Sequence, residues 1–220
     1  MKIVSFGKYS LYLYYLKFMR TFTKNELIGV LLIFTITFLV TGLNMNDAIR
    51  RARDTQRRND VGAIADAIDK FHADYGYYPP SENGRIKMCK GENFEEVISK
   101  LQTLYKCDTN LFFEGLRPCD WVNDTFVDVL EPESEAYLKN IPGDPKHKEG
   151  FAYYYLSNGN RFQIYSQLEG GREETGYNQG VYDRNLPCGI GVCSYGKSQS
   201  VPIDRDIDEY EKELLEKSGQ

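Results

Sequence analysis

Histidine and tryptophan are scarce in this chain of 220 residues, which has two of the first and one of the second. His72 and His147 are far apart in sequence, and neither sits in a metal or nucleophile motif. There is no His-Glu-x-x-His, no G-x-S-x-G elbow and no Gly-rich phosphate loop, which removes the zinc-protease, α/β-hydrolase and phosphate-loop classes. No two cysteines stand in C-x-x-C spacing, so no zinc or other metal centre is expected. Excess positive charge is missing too. With 27 Lys and Arg against 32 Asp and Glu, the net charge is −5, without the basic footprint of a nucleic-acid binder. Nucleic acid is therefore not an expected partner, and no enzymatic activity is expected.

Charge is also absent from one long stretch. Residues 27–43 read LIGVLLIFTITFLVTGL, within a chain that is 27% charged as a whole. As a helix at ~1.5 Å per residue this run extends ~25 Å, and ~33 Å when started at Phe22, which suffices for a hydrocarbon core of about 30 Å. The run is long for the core of a secretory signal, and no A-x-A cleavage site follows it. Leu27, Ile28, Val30, Leu31, Leu32, Ile33, Phe34, Phe38, Leu39, Val40 and Leu43 are the expected span residues. Basic residues balance across it: Lys2, Lys8, Lys17, Arg20 and Lys24 before, Arg50, Arg51, Arg53, Arg57 and Arg58 after. The positive-inside rule therefore gives no orientation. Glu26 stands at the edge of the run, where an ionisable group is costly and a candidate for function.

Phe22-Thr23-Lys24-Asn25-Glu26-Leu27-Ile28-Gly29-Val30 resembles the N-terminal motif of type IV pilins and type II secretion pseudopilins. The likeness continues in the basic segment Arg51-Ala52-Arg53-Asp54-Thr55-Gln56-Arg57-Arg58 and in the exit Asp74-Tyr75-Gly76-Tyr77-Tyr78-Pro79. A looser match follows in Tyr137-Leu138-Lys139-Asn140-Ile141-Pro142-Gly143-Asp144-Pro145. It covers residues 22–80 and, loosely, 135–168. The resemblance implies a leader removed by a prepilin peptidase between Thr21 and Phe22, and methylation of the new N-terminus. It also implies that Glu26 neutralises the N-terminal amine of a neighbouring subunit during filament assembly. Some members bind calcium near their C-terminal strands. Asn158, Asn160, Glu169, Glu173, Glu174 and Asp183 offer oxygens there, without calcium-loop spacing, so no ligand is assigned and no cofactor is expected. One position departs from the family, which carries glycine where this chain has Thr21; cleavage and an uncleaved chain both stay open.

The remaining elements are read from pattern. Val61, Ile64, Ile68, Phe71 and Tyr75 share one helical face, so a single helix is expected from the apolar run to about Tyr75, stopped by Gly76 and Pro79-Pro80. Asp54 is expected to pair along the helix surface with Arg50 and Arg58, and Arg50 to Arg58 to lie in solvent. His72 is expected to be a packing or surface residue. Phe94, Val97, Ile98, Leu101, Leu104 and Tyr105 predict a short helix, and Pro132 a helical turn over residues 133–140. Residues 151–156 and 161–168 predict strands joined by Ser157-Asn158-Gly159-Asn160, a hairpin signal, with a third strand over residues 191–195. Ile207, Tyr210, Leu214 and Leu215 predict a charged terminal helix.

Of the five cysteines, Cys188 and Cys193 enclose Gly189 and Gly191 and are expected to pair; two of Cys89, Cys107 and Cys119 form a second bridge, leaving one thiol. Disulfides fit an oxidising, extracytoplasmic compartment. The expected fold class is α+β, a long N-terminal helix packed on a small antiparallel sheet. The expected organisation is a leader-like cytoplasmic segment (1–21), a transmembrane and filament-core helix (22–46), its amphipathic continuation (47–78), an extracytoplasmic α+β head (79–203) and a charged tail (204–220). The expected function is a structural subunit of a pilus-like or pseudopilus-like filament, held in the cytoplasmic membrane before assembly. Its expected partners are its own copies or related pilins, the membrane, the prepilin peptidase and the assembly machinery. The alternative is an uncleaved single-pass membrane protein presenting a binding head.

Overall fold

A computed structural model describes residues 23–104 and 109–219. Helix α1 occupies Lys24–Tyr75, 52 residues. Its first turn is closed by a capping box: the Thr23 amide donates to Glu26 Oε2 at 2.7 Å, and the Glu26 amide donates to Thr23 Oγ1 at 3.4 Å. Two orphan donors of the helix start are satisfied in this way. At the other end Gly76 takes φ +75 and donates its N–H to the His72 carbonyl at 2.7 Å. That left-handed exit suits glycine, and Pro79 and Pro80 prevent further helix.

The chain divides into two compact units at Ile49/Arg50, and α1 contributes to both. In the first, residues 27–42 are almost wholly exposed. In the second, the 3–4 spacing seen in the sequence becomes a buried stripe: Val61, Ile64, Ile68 and Phe71 are each 0% exposed. They share one core with Ile86, Met88, Phe126, Ile141, Tyr153, Tyr155, Phe162 and Ile164. The protein is therefore α+β, with a helix face packed among antiparallel strands.

Two small sheets carry that core. The first orders β1 (Ser81–Glu82), β2 (Arg85–Lys90) and β3 (Leu116–Pro118); the second orders β4 (Tyr154–Ser157), β5 (Phe162–Ser166) and β8 (Tyr195–Gln199). All pairings are antiparallel. The β4–β5 hairpin turns at Gly159, whose φ is +88. A two-stranded ribbon, β6 (Pro187–Cys188) with β7 (Gly191–Val192), stands beside them in sequence. The helices α2 (Phe94–Leu104), α3 (Thr109–Glu114), α4 (Gln179–Asp183) and α5 (Ile207–Ser218), with 3-10 turns at His147–Glu149 and Gly171–Glu173, complete the described elements. Asp206 caps α5 by accepting from the Asp208 and Glu209 amides at 3.0 and 3.2 Å.

Two expectations need correction, and one element is new. Residues 133–140 form no helical turn; Phe126 and Leu138 exchange backbone hydrogen bonds of 2.9 and 3.0 Å, and that bridge uses the groups a helix would need. The third strand begins at Tyr195, whereas Gly191–Val192 pairs in the ribbon. The first sheet was not expected at all.

Candidate functional site

The first unit holds the residues singled out as the membrane span. Among the described residues α1 is the helix long and apolar enough to cross a membrane, and none of that apolar window is buried inside the protein. Ile33 is 67% exposed, Phe34 70% and Phe38 80%. Burying one large apolar side chain yields ~1.5–3 kcal/mol, so each of the dozen exposed here from Leu27 to Met45 gains from an apolar environment. The polar atoms within this stretch are already satisfied: the hydroxyls of Thr35, Thr37 and Thr41 donate to the carbonyls of Leu31, Ile33 and Thr37 at 2.8, 2.8 and 2.7 Å. Such back-bonding is what a lipid or protein-core setting demands of threonine. Glu26 is exposed and, among the described residues, is engaged by Thr23 of its own chain. Thr21 and Phe22 lie outside the described residues, and of Leu43 only its place in the helix is described.

The second unit holds a site the sequence did not announce. Arg57 is 0% exposed, as is Asp54 one turn earlier. Arg57 grips Asp144 with two donors, Nε to Oδ2 at 2.7 Å and Nη2 to Oδ1 at 2.9 Å. Its Nη1 donates to Asp54 Oδ1 at 2.8 Å and to Glu169 Oε1 at 2.7 Å. Arg53 adds a second fork on Glu169, and Lys146 Nζ lies 3.7 Å from the same carboxylate. Asp54 in turn accepts the amides of Glu169 and Gly170, both at 2.9 Å. Three cations thus meet three carboxylates. Burial alone would lower the Arg57 pKa, but hydrogen bonds and charge from Asp144, Glu169 and Asp54 hold it above the ordinary value. Hydrogen bonds from Arg53 first, opposed by burial and reinforced by Arg57, bring Glu169 down to about 2.

This corrects the expected solvated surface over Arg50 to Arg58. Arg58 makes a partly buried ion pair with Glu174 at 2.9 Å, and Arg57 and Asp54 are interior. The only local signal was their i, i+3 spacing on α1; Asp144 and Glu169 lie 87 and 112 residues beyond Arg57.

Cys188 and Cys193 form a disulfide, and so do Cys89 and Cys119. Cys107 lies outside the described residues. Four of the six residues considered for calcium have side-chain oxygens engaged elsewhere: Glu169 and Glu174 take arginines of α1, Asn158 Oδ1 accepts the amides of Asn160 and Arg161, and Asp183 accepts from Gln179. A further trio, Cys89, Cys119 and Asp124, is close enough to share an ion, but both sulfurs are committed to the disulfide and Asp124 accepts two bonds from Arg117. His72 stacks on Tyr78 with ring centroids 4.2 Å apart, a packing role as expected. No family model matches this chain, and comparison with curated proteins and with solved structures finds no match either.

Proposed function

We propose that this chain is a structural subunit of a type IV pilus-like or type II secretion pseudopilus-like filament, held in the cytoplasmic membrane by α1 before assembly. The observation that carries the reading is the division within α1. Its first half has an apolar surface that is exposed among the described residues, and its second half is built into an α+β unit. A bilayer serves the first half in storage, and the same half of other copies serves it in a filament. The pilin-like motif from Phe22 to Val30 and the exit at Tyr75-Gly76-Tyr77 support the same reading. Two disulfides agree with a C-terminal unit on the oxidising side of the membrane.

A second reading, an uncleaved single-pass protein presenting a binding head, is favoured by the capping box. Glu26 has a partner in its own chain and needs no neighbouring amine. Intact-mass measurement of the native protein extracted from membranes separates the two. The filament reading expects a chain that begins at Phe22 and carries an added methyl group. A native chain that retains residues 1–21 would rule out the cleaved subunit and leave the second reading.

A further inference from the structure

Beside β7 and the residues that follow β5, the second unit has a cleft of about 340 Å³. Gln167, Glu169, Arg172, Tyr177, Tyr182 and Ser194 line it. That volume lies at the small end of ligand pockets, which run from ~300 to 1,000 Å³ and combine apolar walls with a few placed polar groups. The lining has three unspent features. Arg172 is exposed and, among the described residues, forms no ion pair or hydrogen bond. The Gln167 Oε1 atom is buried and has no donor. The Tyr182 side chain is exposed, and its ring lies 6.1 Å from that of Tyr177 at an angle of 36°.

Each feature selects a ligand group. A free guanidinium is a fork for a carboxylate, which it binds with two parallel donors. The two tyrosine rings are too close to admit a third ring between them, so they offer a platform that one flat, C–H-bearing face can cover. The terminal torsion of glutamine is soft, so the Gln167 amide can turn toward the cleft and meet a hydroxyl. The carboxylate in the lining, Glu169, does not repel an anion strongly, because Arg53, Arg57 and Lys146 surround it.

We propose that this cleft binds a carboxylate-bearing sugar ring, such as a uronic acid residue of an acidic glycan. The proposal rests on the second unit facing the outside of the cell, where such glycans are met, and not on cleavage or filament formation. Its test is calorimetric titration of the full chain in detergent with trigalacturonic acid, with galactotriose and acetate as comparison ligands. Saturable binding of the acidic trisaccharide is expected, with galactotriose and acetate at least tenfold weaker. Arg172→Ala and Tyr182→Ala are each expected to weaken binding about tenfold or more, and Arg172→Lys to restore part of the loss, because lysine keeps the charge without the fork. Both side chains are exposed, so these variants should melt with the parent chain. Absence of saturable binding, equal affinity for galactotriose or acetate, or no change in Arg172→Ala would overturn the proposal. Incorporation of Arg172→Ala into filaments is read separately, so failure in the cleft leaves the filament reading standing.

Discussion

Arg57 leaves water entirely, and a guanidinium loses several kcal/mol of hydration unless its donors are filled. Here the bidentate contact with Asp144 and the bonds to Asp54 and Glu169 fill them. The arrangement ties the helix to two distant loops at once. Glu169 carries the pH dependence of this cluster. Its carboxyl is held at about 2 against an ordinary 4.5. A depressed folded-state pKa supplies stability that is complete above about 4.5 and lost as the pH falls toward 2. Glu169→Gln should therefore lower the melting temperature at pH 6 and flatten its decline between about pH 4.5 and 2. A parallel decline in both proteins would contradict this role. Glu26 calls for a different variant. Glutamine also serves in a capping box, so Glu26→Gln keeps the cap and removes the charge. The filament account expects membrane insertion to persist, measured by resistance to carbonate extraction, while the share of protein in the sheared filament fraction falls severalfold. Unaltered incorporation would show that Glu26 acts as a helix cap alone.

At the scale of elements, the two halves of α1 make opposite demands. Ile68 is 0% exposed and Ile33 is 67% exposed. Truncating a fully buried isoleucine to alanine costs about 2–5 kcal/mol. Ile68→Ala should thus lower the urea midpoint of the second unit in detergent, and Ile33→Ala should leave it unchanged. Equal shifts would mean that the apolar half takes part in the fold of the second unit. The same contrast explains what could be read from sequence. The stripe Val61, Ile64, Ile68, Phe71 and the Asn158-Gly159 turn are local patterns, and each became the expected element. Strands β1 and β3 have two and three residues, too few to display alternation, and exist through pairing with β2. Residues 133–140 have a proline start signal, but pairing of Leu138 with Phe126 overrides it. The Arg57 site was not legible: helix spacing matched Asp54 with Arg50 and Arg58, whereas Asp54 pairs with Arg57, and the other carboxylates are brought in by tertiary structure.

For the whole molecule, the account rests on one mismatch. The second unit buries an apolar core and carries two disulfides, whereas in the first the apolar window of α1 is exposed among the described residues. A membrane covers such a helix one copy at a time; a filament covers it with other copies. Photo-crosslinking from within the span distinguishes these. Phe38 is 80% exposed, which places a benzoylphenylalanine there against whatever surrounds the helix. In the sheared filament fraction of cells producing this variant, the account predicts a ladder of dimers, trimers and higher adducts of this chain or of related subunits. Recovery of the protein only as a monomer in the membrane fraction, with no protein adduct after irradiation, would contradict it.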